Sequence, residues 1–218
     1  MSTLKPSLCL AAMIFINPLF SQADDVMLEE RIGTVFDQNA NVQTRIAAAR
    51  NLGKQGDPRA IEPLILLFQN LSDANPLLET TIRKALEQLA AVDYLKVKLK
   101  DTKPEDREQA AMMLGALGDP DGADALIAAL RDPVPKVREE SATALAKLGV
   151  AKSAAGLITV LNEDQVANVR MAAAQALGYV RTPEAMTALE HAAKTESDDF
   201  VKVMIRMSLS ANIEDVGP

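Results

Sequence analysis

The sequence predicts an all-α fold, an α-solenoid of about six antiparallel helix pairs, and three observations carry that prediction. The first is an internal repeat. Asp164 to Val180 reads DQVANVRMAAAQALGYV: an acid, an Arg six residues on with an apolar residue before it, an Ala-rich run, and a Leu seven residues after the Arg. The same pattern recurs as Asp132…Arg138…Leu145 and Asp101…Arg107…Leu114, and Arg45…Leu52 carries Asn39 in the acid's place. The step from Arg107 to Arg138 is nearly the same as that from Arg138 to Arg170, and Lys202 with Leu209 continues the period. Self-similarity of this kind is the mark of a solenoid, in which each unit buries its apolar face only against its neighbours. The second observation is apolar spacing of three and four residues between the repeated turns, with Asp-Pro and Pro marking helix starts. The third is composition: Ala and Leu dominate, Trp is absent, and Phe and Tyr total seven. Close helix–helix packing suits that mixture better than a sandwich or barrel does.

The helices of each pair are termed A and B, B bearing the arginine. The spacing predicts A over 25–36 and B over 40–54 for the first pair, where Val26, Ile32, Val35 and Phe36 give the apolar stripe. Asp57-Pro58 opens the second A helix, 59–69, followed by B over 76–91. A short third A helix, 93–100, covers Tyr94 to Leu99, the one strand-like alternation, and B follows over 104–117. The fourth pair is 121–131, after Gly118-Asp119-Pro120, and 135–148; the fifth is 152–162 and 166–180. Pro183 opens the sixth, 183–194, with B over 199–212 and a frayed tail, Glu214 to Pro218. Residues 24–39 act as a capping element and 40–212 as the repeats.

Residues 1–23 read as a leader rather than as fold. Lys5 precedes a run from Leu8 to Phe20 that is apolar apart from Asn17-Pro18, and Ser21-Gln22-Ala23 places small residues at −3 and −1. That is the layout of a secretory signal peptide cut after Ala23. The apolar run falls short of the roughly 20 residues that span a bilayer, so a retained anchor is the lesser reading. Cys9 follows Leu8 and lies too early for a lipoprotein site. The expected location is periplasmic or secreted, with no stable membrane span after cleavage.

The chain carries 23 basic and 30 acidic residues, a formal charge of −7, and loses only Lys5 with the leader. An acidic balance argues against a general binder of phosphate backbones. The mature part has no cysteine, hence neither disulfides nor a thiol nucleophile.

The repeats resemble HEAT-like repeats, above all the short bacterial kind of the phycobilisome lyases. The residues that carry the resemblance are Val137 to Leu145 (VREESATAL), Val169 to Gly178 (VRMAAAQALG) and the turn Leu117-Gly118-Asp119-Pro120. It covers about residues 40–212 and implies that the α-solenoid is right-handed. Two copies depart from it: Glu79 stands where Arg is expected, and the sixth has Lys202 with Glu196 for Asp. The resemblance implies that the Asp/Arg ladder (Asp101, Arg107, Asp132, Arg138, Asp164 and Arg170) is structural, each Arg reaching turn groups of its own or the neighbouring repeat. It also implies that the B helices line a concave binding face.

Positions five after the ladder residue (Arg50, Lys84, Met112, Thr143, Gln175 and Met207) point away from the core. Nine after it come Lys54, Gln88, Ala116, Lys147, Tyr179 and Ala211. They vary where core positions do not, as on a rigid surface that recognises extended partners. The last helix, from Phe200, is apolar on more than one face, with Val203, Met204 and Met207 among its residues. Either the tail covers part of it or it forms a partner or self-association surface, and contact is the preferred reading.

No catalytic constellation, cofactor site or metal site is evident. The only histidine, His191, has no second His to complete a metal site, and HEAT-type iron hydroxylases use repeated His-Glu pairs. Glu139-Glu140 and Asp198-Asp199 sit at helix starts, where the dipole favours acids. The function expected is a non-catalytic, exported protein-binding scaffold. The alternatives are an enzyme or enzyme subunit of the bilin-lyase type, and a nucleic-acid-binding HEAT-like protein.

Overall fold

The computed structural model describes residues 22–71 and 75–210, and all regular structure among them is helical. Residues 1–21, which fall within the expected leader, and residues 211–218, which include Ala211 and the expected frayed stretch Glu214 to Pro218, lie outside the described residues. The chain divides into two compact units, Met1–Ala91 and Val92–Pro218.

In the first unit α1 (Gln22–Phe36) packs on α2 (Val42–Gln55), and α2 packs on α4 (Pro76–Gln88), which α3 (Ile61–Gln69) also touches. Asn41 caps α2 by accepting the Gln43 N–H at 2.8 Å, and Asn75 caps α4 by accepting that of Leu78 at 3.1 Å. Both satisfy donors that a helix start leaves orphaned. The expected helix 59–69 begins instead with a 3₁₀ turn, Pro58–Ala60, because Asp57 accepts the Arg59 N–H and winds the entry tighter. Leu28, Ile32, Val35, Ile46, Leu52, Ile61, Leu64, Leu78 and Ile82 are buried, but Val26, expected in the stripe of α1, is 61% exposed and Leu28 takes its place in the core.

The second unit holds α5 (Ala91–Lys98, whose first residue closes the first unit), α6 (Pro104–Leu117), α7 (Ala123–Ala129), α8 (Pro135–Leu148), α9 (Ala154–Glu163), α10 (Ala167–Val180), α11 (Pro183–Thr195) and α12 (Asp199–Ser210). The B helices α6, α8, α10 and α12 pack side by side in that order. Leu114, Leu126, Leu145, Leu157, Leu177, Leu189 and Ile205 fill the space between them and the A helices. Tyr94 to Leu99 lies in and just past the short helix α5, as the context requires. The predicted 121–131 shortens to α7, since Pro120–Gly122 forms a 3₁₀ turn first and Leu130 already caps the end.

The B helices approach one another through glycine. A Cβ on Gly115 of α6 would stand 2.8 Å from Cα of Ala144 on α8, and one on Gly178 of α10 would stand 2.7 Å from Cβ of Ser208 on α12. The small-residue contact expected from the alanines is therefore made closest by glycines. Such a joint fixes the register of neighbouring helices.

Among the described residues, B helices end on a left-handed residue at Gly56, Ala90, Gly118, Gly149 and Arg181. Two of these are not glycine, and a Cβ there costs about 1 kcal/mol. Ala90→Gly, at φ 50° and exposed, is expected to stabilise the chain by about 1 kcal/mol in urea titration. A loss of stability would show that Ala90 is not strained.

Candidate binding face

The B face of the second unit rests on a ladder of ion pairs. Arg107 donates from Nε to Asp132 Oδ2 at 2.7 Å and from Nη2 to Oδ1 at 2.9 Å. Arg138 makes the same fork to Asp164 at 2.6 and 2.9 Å, and Arg170 to Glu196 at 2.8 and 2.9 Å. The remaining Nη1 of each turns back to its own repeat, donating to the carbonyls of Asp101, Asp132 and Asp164 at 2.9–3.0 Å. Each arginine thus takes the carboxylate of the next turn and the carbonyl of its own, tying two repeats together. Planar guanidinium matches a carboxylate bidentately, which a lysine ammonium does not.

The acids also brace the turns that lead into the B helices. Asp101, Asp132 and Asp164 accept the N–H of Lys103, Val134 and Val166, and Glu196 accepts those of Ser197 and Asp198. Arg107 beside it holds the Asp132 carboxyl below the ordinary range. Burial pushes Asp164 upward, but Arg138 and the Val166 N–H outweigh it and the net shift is down. Arg170 lowers Glu196 to about 2. Glu196, a departure from the repeat pattern in sequence, is thus a full rung, its longer stem reaching the same fork.

The first unit holds its turns differently. Arg45 is buried and donates from Nε to the Val35 carbonyl at 2.9 Å. Arg59, which no repeat position marks out, bridges Asp57 and Asp25 at 2.6 Å each. Glu79, in the arginine's place, pairs along its own helix with Arg83 at 3.6 Å.

With helices held in this register, the residues five and nine after each ladder position are laid out in rows. Met112, Lys147, Gln175, Tyr179 and Met207 are exposed and Thr143 and Met204 half-exposed in the second unit; Arg50, Lys54, Lys84 and Gln88 are exposed in the first. The second unit's rows run from Met112 through Thr143 and Lys147 to Gln175, Tyr179 and Met207, so their chemistry changes from one helix to the next. At the start of α8, Lys136 bridges Glu139 and Glu140 at 3.1 and 2.9 Å, and both acids raise its pKa. Those acids form a local ion-pair triad.

Two hollows lie beside the turns and the A helices. One of about 520 Å³ is lined by Asn162, Glu163, Gln165, Arg170, Thr195 and Glu196, beside the last rung. An apolar one of about 260 Å³ lies between α7 and α9, lined by Ile127, Leu130, Gly156 and Val160 among others. His191 is exposed on α11, its carbonyl accepting from Thr195 Oγ1. Among the described residues no group of three or more His, Cys, Asp or Glu is placed to hold a metal ion, and no helix is long and apolar enough to cross a membrane.

The family model of HEAT repeats matches residues 92–178 and 124–210, and that of the PBS lyase HEAT-like repeat matches 44–70. No curated protein matches the chain. Among solved structures, the complex of CpcE and CpcF of phycocyanin lyase from Nostoc sp. PCC7120 is similar at 25% identity and a TM-score of 0.54, covering 71% of this chain and 100% of that one. Human deoxyhypusine hydroxylase in complex with glycerol aligns at 22% identity and a TM-score of 0.50, over 84% and 72% of the two chains. Kap121p bound to Nup53p aligns at 14% and 0.52, over 93% of this chain and 27% of that one. The last two share the fold alone.

Proposed function

Because the chain belongs to the HEAT-repeat family, we propose that it is a non-catalytic scaffold that holds protein partners along its B-helix face. One observation carries the reading. The ladder and the glycine joints fix the backbone, while the exposed residues five and nine after each rung differ from helix to helix. A rigid array of varied side chains recognises an extended partner residue by residue at little ordering cost. The Nostoc structure, itself a complex of two chains, CpcE with CpcF, supports a partner-binding role. In this reading residues 1–23 are removed after Ala23, the mature chain works in a periplasm or outside the cell, and the last helix adds a self-contact. Its acidic balance disfavours nucleic acid.

The same Nostoc similarity favours one second reading, an enzyme subunit of the bilin-lyase type. Co-expression with a phycobiliprotein and its pigment separates the two, since a scaffold transfers no pigment.

A photo-crosslinking residue at Gln175 in cells, with exposed Glu190 on α11 as control, is expected to give a discrete protein adduct at Gln175 alone. No adduct at either position, or equal labelling at both, would remove the B face as the protein-binding surface.

A further inference from the structure

The last helix of the array carries an apolar line with no helix against it among the described residues. Within the second unit each B helix but the last is covered on its forward side by the next, the closest contacts being Gly115 on Ala144 and Gly178 on Ser208. The position on α12 that corresponds to Gly115 and Gly178, eight after the ladder residue, is Ser210, which is exposed. Along the same side of α12 lie Phe200, Val203 and Met207, exposed by 79%, 53% and 59%. They stand at i, i+3 and i+7, the spacing of one seam along a helix. The opposite side, Val201, Ile205 and Ser208, is the buried one. The side of the first B helix, α2, that lies opposite Gly53, and so away from α4, shows exposed Thr44 and Asn51. A head-to-tail contact between copies would press the apolar line of α12 on that polar side, and it is disfavoured.

We propose that the line is covered by a second copy of this chain, α12 pairing antiparallel with its own symmetry mate. The charges beside the line select that arrangement. Asp199 and Arg206 are seven residues apart and flank the same edge of the stripe. In an antiparallel pair like edges face each other, so Asp199 of each copy lies against Arg206 of the other, twice over. A parallel pair would set that edge against the opposite one and make neither contact. Arg206 is exposed and forms no ion pair among the described residues; Asp199 has only an exposed pair with Lys202 at 3.1 Å, which is weak. Val203 then meets Val203 near the two-fold axis, and Phe200 meets Met207. An interface this small sits at the low end of specific contacts, below about 1,200 Å². The dimer therefore forms and dissociates with concentration. The inference deepens the self-contact of the proposed function; Met207 belongs to both the B-face row and this line, but Phe200 and Val203 lie on the line alone, and the readout is mass rather than adduct.

The test is sedimentation equilibrium of the full chain across a wide concentration range, with circular dichroism confirming the fold of each variant. The chain is expected to shift from monomer to dimer, and Val203→Asp and Met207→Asp to hold it monomeric at every concentration. Asp199→Arg and Arg206→Asp alone are each expected to weaken dimerisation about tenfold or more, and the double exchange to restore it. In a Cys9→Ser background, Val203→Cys is expected to cross-link into a disulfide dimer under mild oxidation, and Lys194→Cys on α11 is not. A wild-type chain that stays monomeric overturns the proposal, as does a dimer indifferent to Val203→Asp and Met207→Asp. A double exchange no stronger than the single ones overturns the antiparallel register. A monomer whose α12 is protected from hydrogen exchange identifies the chain's own tail as the cover, and overturns it likewise.

Discussion

Leu145→Ala and Leu177→Ala are each expected to lower the unfolding free energy of the second unit by about 2–5 kcal/mol. Both side chains are fully buried, on α8 and α10, seven residues after their ladder arginines. Removing three carbons from either leaves a hole bounded by helices whose spacing is set by the glycine joints, so the walls cannot close on it. The loss combines transfer free energy with an unrelaxed cavity, which places it toward the upper part of that range. Urea titration followed by circular dichroism measures it. A midpoint unchanged within error in both variants would show that these leucines are not the core.

The second large effect concerns the ladder. Arg138→Lys keeps the charge but loses the fork to Asp164 and the reach back to the Asp132 carbonyl. The expected cost is about 1–3 kcal/mol, less than deletion of a partner from a buried pair, with partner affinity at the B face nearly intact. Full stability with lost binding would reverse the assignment and make the ladder a site. The last rung adds a pH signature. Glu196 is held at about 2 in the folded chain against an ordinary value of 4.5. Its contribution is therefore complete above about pH 4.5 and is lost as the pH falls through 2. Between those values the native chain is expected to lose up to about 3 kcal/mol that Glu196→Gln, already without it, does not lose. Parallel stability–pH curves for the two chains would show that the rung carries no charge-dependent stability.

The repeats were legible because the periodic arginines and the Pro and Asp at helix starts are local signals. The helix starts at Pro104, Pro135 and Pro183 fall where proline puts them. The direction of each rung was not legible. Arg138 lies six residues after Asp132 and 26 before Asp164, and only folding shows that the distant carboxylate takes the fork while the near residue gives a carbonyl. For the same reason Glu196 reads as a departure in sequence and is a rung in space. The bridge of Arg59 to Asp25 and Asp57 has no periodic signal, since it belongs to the first unit alone. On α12 the sequence shows apolar residues on several faces; which of them water reaches depends on where α10 lies. The candidate face divides likewise: counting from the arginine finds exposed positions, but their chemistry follows no pattern that names a partner.

The spacing of the rungs has a consequence for how such a chain changes length. Each arginine meets its acid 25 or 26 residues later. Excising one whole period, from Glu139 through Arg170, would leave Arg138 as far ahead of Glu196 in the chain as it now lies ahead of Asp164. Any cut that removes one whole period between equivalent points rejoins a donor to an acceptor at the right distance. Duplication of a period does the same. The ladder therefore makes the array extensible in whole modules, so that reach along a partner can be gained or lost by recombination without designing a new joint.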